Sequence, residues 1–155
     1  MSASQSTRIV VGVDGSPSSI GALEWAFGQA ILTGGVIEAV CAWHYPNVYG
    51  AAVPDNADYH ALAEETVAKA IAEARTADQA YGVVPVRPVV VKARPAHALL
   101  AQAKGATLLV IGFRGHGGLS EVLLGSVSQH VLHHAPCPVV IIRDAVTAAA
   151  RDKVE

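Results

Sequence analysis

The chain has 155 residues, 52% of them hydrophobic and 15% charged, with 11 basic against 13 acidic side chains and a formal net charge of -2. That length suits one domain with a real core, and the balance excludes a disordered chain and shows no basic excess for nucleic acid. The apolar residues fall in short runs, none near the roughly 18 that a membrane span needs.

The opening MSASQSTR is small and polar, without the apolar stretch of a secretory signal, so residues 1–7 are expected as a flexible tail on a cytoplasmic protein. Arg8 to Val13 (RIVVGV) predicts a buried strand, and Asp14-Gly15-Ser16-Pro17 predicts the turn into a helix. Ser16 suits the N-cap and Pro17 the first helical position, where its missing N–H is no loss. Ile20, Leu23, Phe27, Ala30 and Ile31 recur at helical spacing, and Gly34-Gly35 supplies a left-handed terminator. Val36 to Trp43 predicts a second strand. The stretch HYPNVYGAAVPDN after it is too long for a simple turn, and His44, Tyr45 and His60 flank it as residues that could cover a ligand.

A second helix is predicted from Asp58 to Ala80, with Ala63, Val67, Ala70, Ile71 and Ala74 inward and a Glu65/Lys69 pair outward. Val84 to Val91 predicts a third strand; Pro85 and Pro88 cannot donate to a ladder, which places it at a sheet edge. A short helix from Pro95 to Lys104 closes at Gly105. Pro138 to Ile142 (PVVII) predicts a fifth strand, residues 8–143 form the domain, and residues 144–155, alanine and charge, are expected as a second flexible tail. Cys41 and Cys137 suit reduced thiols rather than a disulfide in a cytoplasmic protein. Alternating strands and helices imply an α/β fold of the Rossmann-like kind, a doubly wound parallel sheet with helices on both faces.

The fourth strand and helix lie in the stretch with the most chemistry, LLVIGFRGHGGLSEVLLGSVSQHV from Leu108 to Val131. Leu108 to Ile111 is an apolar run suited to a covered parallel strand. Gly112, Gly115, Gly117 and Gly118 free the backbone for positive φ and for close approach to a ligand. Gly125 and Ser126 open a helix with Val127 and Val131 on one face, and the N–H groups and dipole of a helix start attract an anion, phosphate above all. Arg114 and His116 stand inside the turn, where a charge could reach a phosphate. His130, His133, His134 and Cys137 invite a metal reading, but histidine at a helix end is accounted for by the dipole, so no protein-held metal is assigned.

The spacing of Gly112, Gly115, Gly125 and Ser126, together with VVGVDGS ending in Asp14, resembles the ATP-binding branch of the universal stress proteins over roughly Arg8 to Arg143. The resemblance implies five strands in the order 3-2-1-4-5, a frequent homodimer through the last strand, and ATP held by a binding protein, usually without an efficient dedicated hydrolysis machinery; whether Mg²⁺ or Mn²⁺ accompanies the nucleotide is left open by the sequence. That order puts the switch point between strands one and four, so Asp14 and Gly112 are expected to face each other across a cleft. Asp14 is then a ribose or metal partner, the alternative being a turn residue that caps the helix. The backbone around Ala39, Val40 and Cys41 resembles the family's adenine-contacting position, the alternative being plain core strand. With Val13, Gly15, Ser16, Val127 and Ser128 these residues complete the candidate site, and no catalytic residue is assigned.

No lysine follows any glycine of the turn, which excludes a P-loop, and the first turn lacks a dinucleotide fingerprint. Left open are an ATP-binding regulatory protein, a slow ATP hydrolase or adenylate-transferring enzyme, and a binder of cyclic AMP or AMP.

Overall fold

The structure, a computed structural model, describes residues 5–45, 58–114 and 124–143. The expectations for Gly115, His116, Gly117 and Gly118, for residues 46–57 of the long loop, and for residues 1–4 and 144–155 fall outside that set. Strands β1 (Arg8–Gly12), β2 (Val36–Trp43), β3 (Val86–Lys92), β4 (Leu108–Gly112) and β5 (Val139–Ile142) alternate with helices α1 (Pro17–Thr33), α2 (Tyr59–Arg75), α3 (Pro95–Gln102) and α4 (Ser126–His134). The sheet is parallel in the order β3-β2-β1-β4-β5, the doubly wound arrangement expected.

Its layers follow from strand alternation. Ile9, Val11, Ile37, Ala39 and Cys41 point to the side covered by α1 and α2, where they meet Leu23, Phe27, Val67 and Ala70. Val10, Val40, Leu109 and Ile111 point to the other side and meet Ala98, Leu99 and Val131 of α3 and α4. Cys41 therefore lies in one layer and Cys137 in the other, and both are free thiols. Among the described residues no helix is long and apolar enough to cross a membrane.

The predicted caps are present. Ser16 precedes α1 and its Oγ accepts the Ser19 N–H, while Gly34 ends the helix at φ 69°. Ile31 departs from the expected inward stripe; it is 44% exposed, whereas Ala22 and Ala26 are buried. The second helix is shorter than its periodicity suggests, stopping at Arg75 before a 3-10 turn at Gln79–Val83. Two side chains impose this. Asp78 Oδ1 accepts the Ala80 N–H, and the Arg75 guanidinium donates to the carbonyls of Tyr81, Gly82 and Val84 while lying over the Phe27 ring. Thr7, placed by sequence in the N-terminal tail, already accepts the Val36 N–H. The third strand does occupy an edge, with Pro88 in its interior.

Glu38 marks the amino end of the sheet. It is 8% exposed within β2 and is held by Arg8, Arg87 and Gln102, so its charge is paired rather than buried alone.

Candidate functional site

At the carboxyl end of the sheet, β1 feeds α1 on one face and β4 leads toward α4 on the other, so the crevice between them is the switch point of the fold. The β1 rim is a built turn. Gly15 takes φ 82°, a conformation other residues rarely hold. Asp14 Oδ1 accepts the Ser16 N–H at 2.9 Å, and the Asp14 N–H donates to Ser19 Oγ. Asp14 is exposed at this end of the sheet while its carboxylate serves the turn. Ser16 is buried with its hydroxyl engaged in the helix cap, and Val13 is buried with its N–H on the Val40 carbonyl at 2.8 Å.

The β4 rim is joined to α4 through backbone. The Phe113 carbonyl accepts the Gly125 N–H at 3.0 Å, and the Phe113 N–H donates to the Ile142 carbonyl at 2.7 Å. Gly125 is the N-cap of α4 and, having no side chain, leaves the helix start without a side-chain cap. Ser126, Val127 and Ser128 thus supply the first-turn N–H groups, which no intrahelical carbonyl can satisfy. Ser128 is 4% exposed and its Oγ donates to the Gly112 carbonyl at 2.9 Å, so this hydroxyl ties α4 to the end of β4.

Gly112 does not take positive φ, contrary to the expectation for it. Its lack of a side chain serves packing: a Cβ there would stand 2.6 Å from Ser18 Cβ and 2.9 Å from the Ser18 carbonyl carbon. The end of β4 therefore lies against the first turn of α1, and only glycine admits that approach. Arg114, half-buried, follows at once.

The floor of the crevice is β2, which runs past its last β1 partner, since Gly12 pairs with Val40. The Val40 carbonyl is already bonded to Val13, whereas the Ile37 N–H and the Trp43 carbonyl bond toward β3. Backbone direction alternates along a strand, so Cys41 faces β3 and Ala42 aims its N–H and C=O toward the side where β1 has ended. Ala42 lies outside the stretch expected from sequence; counting alternation from a known β1 register gives its direction. Beside it, Trp43 meets Tyr45 and His60 edge-on, each at 5.8 Å, and Lys92 Nζ lies over the Trp43 and Tyr45 rings. Tyr45 and His60 are thus gathered on Trp43.

Burial pushes the Cys41 thiol up to about 11, and the nearby Asp14 carboxylate adds to the effect. The folded value exceeds the unfolded thiol's ordinary ~8.5, so the stability tied to the neutral thiol is whole below that pH and is lost as pH rises through about 11. The melting-temperature gap between wild type and Cys41→Ala should therefore narrow from pH 8.5 to 11; a gap independent of pH would contradict this account.

The amino-acid pattern agrees with this geometry. The model of the universal stress protein family matches residues 6–143. The chain belongs to that family. Universal stress protein Rv2005c of Mycobacterium tuberculosis is 38% identical over 141 residues, covering 91% of this chain and 47% of that protein. The chain spans about half the length of the curated relatives it matches. Among solved structures, a universal stress protein in complex with cAMP is 25% identical with TM-score 0.64, covering 90% of this chain and 98% of that one. One from Archaeoglobus fulgidus in complex with dAMP is 23% identical with TM-score 0.62, covering 88% and 97%. These neighbours share the Rossmann-like α/β fold.

Proposed function

We propose that this universal stress protein binds an adenine nucleotide, ATP in preference, in the crevice between β1 and β4, and acts by holding it. The observation that carries the reading is the opposition of two rims: exposed Asp14 on one side, and on the other the glycine-capped start of α4 bonded to Phe113. The α4 first turn suits a phosphate, Asp14 suits ribose hydroxyls or a phosphate-bound Mg²⁺ or Mn²⁺, and the Ala42 backbone suits the edge of the base. The cAMP and dAMP complexes of structural neighbours support the adenine class. Bound nucleotide would then bias a surface that another molecule reads.

Calorimetric titration with ATP, ADP, AMP and cAMP tests the proposal directly. Affinity weaker than millimolar for all four would overturn it. Multiple turnovers of ATP hydrolysis or adenylate transfer, lost in Asp14→Ala, would replace holding with catalysis.

The homodimer is proposed through β5, an edge strand whose outer side has no partner strand among the described residues. The Pro138 and Ile142 carbonyls bond toward β4, so Val139 and Ile141 direct their backbone outward. Ile141→Pro removes an outward N–H without taking a β4 bond. By sedimentation it should be monomeric while Ile141→Ala remains a dimer; a monomeric wild type would remove the interface.

A further inference from the structure

The glycine spacing does not reach Arg143, which follows β5 and stands at the carboxyl end of the sheet. Its guanidinium carbon lies 4.7 Å from the centroid of the Phe113 ring. Phe113 is also the residue whose N–H bonds Ile142 and whose carbonyl holds the Gly125 N–H, so the ring beneath Arg143 belongs to the anchor of the α4 start. Arg143 is exposed, and among the described residues no carboxylate pairs with it.

This is an arrangement for taking an anion. A guanidinium stacked on a ring keeps its N–H donors in plane at the free edge, the direction from which it grips phosphate oxygens. Stacking also restrains a long side chain, which lowers the ordering cost of a contact. The first turn of α4 offers N–H groups to any phosphate and does not separate AMP, cAMP and ATP. A cation placed past that turn would separate them, because only an extended polyphosphate would span both.

We propose that Arg143 is a specificity-determining residue, contacting a phosphate beyond the first and setting the preference for a polyphosphate over a monophosphate or cyclic nucleotide. The proposal rests on the nucleotide reading above and adds the residue that ranks the ligands.

The test is calorimetry of wild type, Arg143→Gln and Arg143→Lys with ATP, ADP, AMP and cAMP at one salt concentration, with sedimentation of each protein. Arg143→Gln should bind ATP about tenfold to a hundredfold more weakly, the size of one charge-assisted hydrogen bond. AMP and cAMP should change less than about twofold, and Arg143→Lys should fall between wild type and Arg143→Gln for ATP, since a point charge replaces a fork. Equal weakening of all four ligands would reduce Arg143 to a support for Phe113 and overturn the inference, as would an unchanged ranking or a change confined to oligomeric state. A wild type that binds none of the four defeats the nucleotide reading itself, and the inference with it. A wild type that binds ATP while Arg143→Gln matches it defeats the inference alone.

Discussion

Asp14→Ala should weaken ATP binding by about tenfold to a hundredfold and also cost about 1 kcal/mol of stability. Two separate losses are involved. The carboxylate removed from the rim can no longer accept ribose hydroxyls or face a metal, and the Ser16 N–H loses the acceptor that holds it at 2.9 Å. Asp14→Asn separates them, because an amide oxygen can still accept from Ser16 while the negative charge and an acceptor oxygen are gone. The asparagine variant should melt within a few degrees of wild type yet bind ATP nearly as weakly as the alanine variant. If Asp14→Asn binds ATP like wild type, Asp14 is a turn residue and nothing more. Calorimetry with thermal melts of all three proteins decides between the two roles.

Gly112→Ala should destabilise the fold by about 2–3 kcal/mol, at the upper end of what overpacking usually costs. The added methyl meets the Ser18 backbone, with the carbonyl carbon at 2.9 Å and the oxygen at 3.1 Å, and no rotamer change moves those atoms away. Relief requires α1 to shift from the end of β4. Gly82→Ala is the control: a Cβ there meets nothing within 4 Å, so it should be neutral or slightly stabilising. Denaturant midpoints for the two variants measure the contrast, and equal midpoints would refute the packing account. A shift of β4 also moves the Gly112 carbonyl that Ser128 Oγ holds, and with it the start of α4. Lost nucleotide binding in Gly112→Ala therefore reports packing as much as contact, and Asp14→Asn and Arg143→Gln are the cleaner probes.

Much of this fold is legible residue by residue. Ser16-Pro17 and Gly34 bracket α1 because a cap and a left-handed terminator are local chemistry, set by a few neighbouring atoms. The edge position of β3 follows from prolines that cannot donate. The end of α2 was less legible: its helical periodicity continues past Arg75, but the guanidinium finds three carbonyls near the following 3-10 turn that no periodicity reveals. Ile31 keeps helical spacing and still faces water, since the width of the buried stripe depends on what lies opposite.

At the candidate site the division has the same cause. The sequence by itself determined the strand-turn-helix frame, the turn at Asp14-Gly15, the glycine start of α4 and family membership, all of which depend on residue types at short or fixed spacing. Only the tertiary structure decided what those residues touch. It assigns Gly112 to contact with Ser18, commits the Ser16 and Ser128 hydroxyls to hydrogen bonds of the fold, turns the Ala42 backbone rather than that of Cys41 toward the side where β1 has ended, and sets Arg143 over the Phe113 ring. Each of these depends on register and on the close approach of segments distant in the chain, and a van der Waals contact or a hydrogen bond is decided over tenths of an ångström that a linear pattern does not encode.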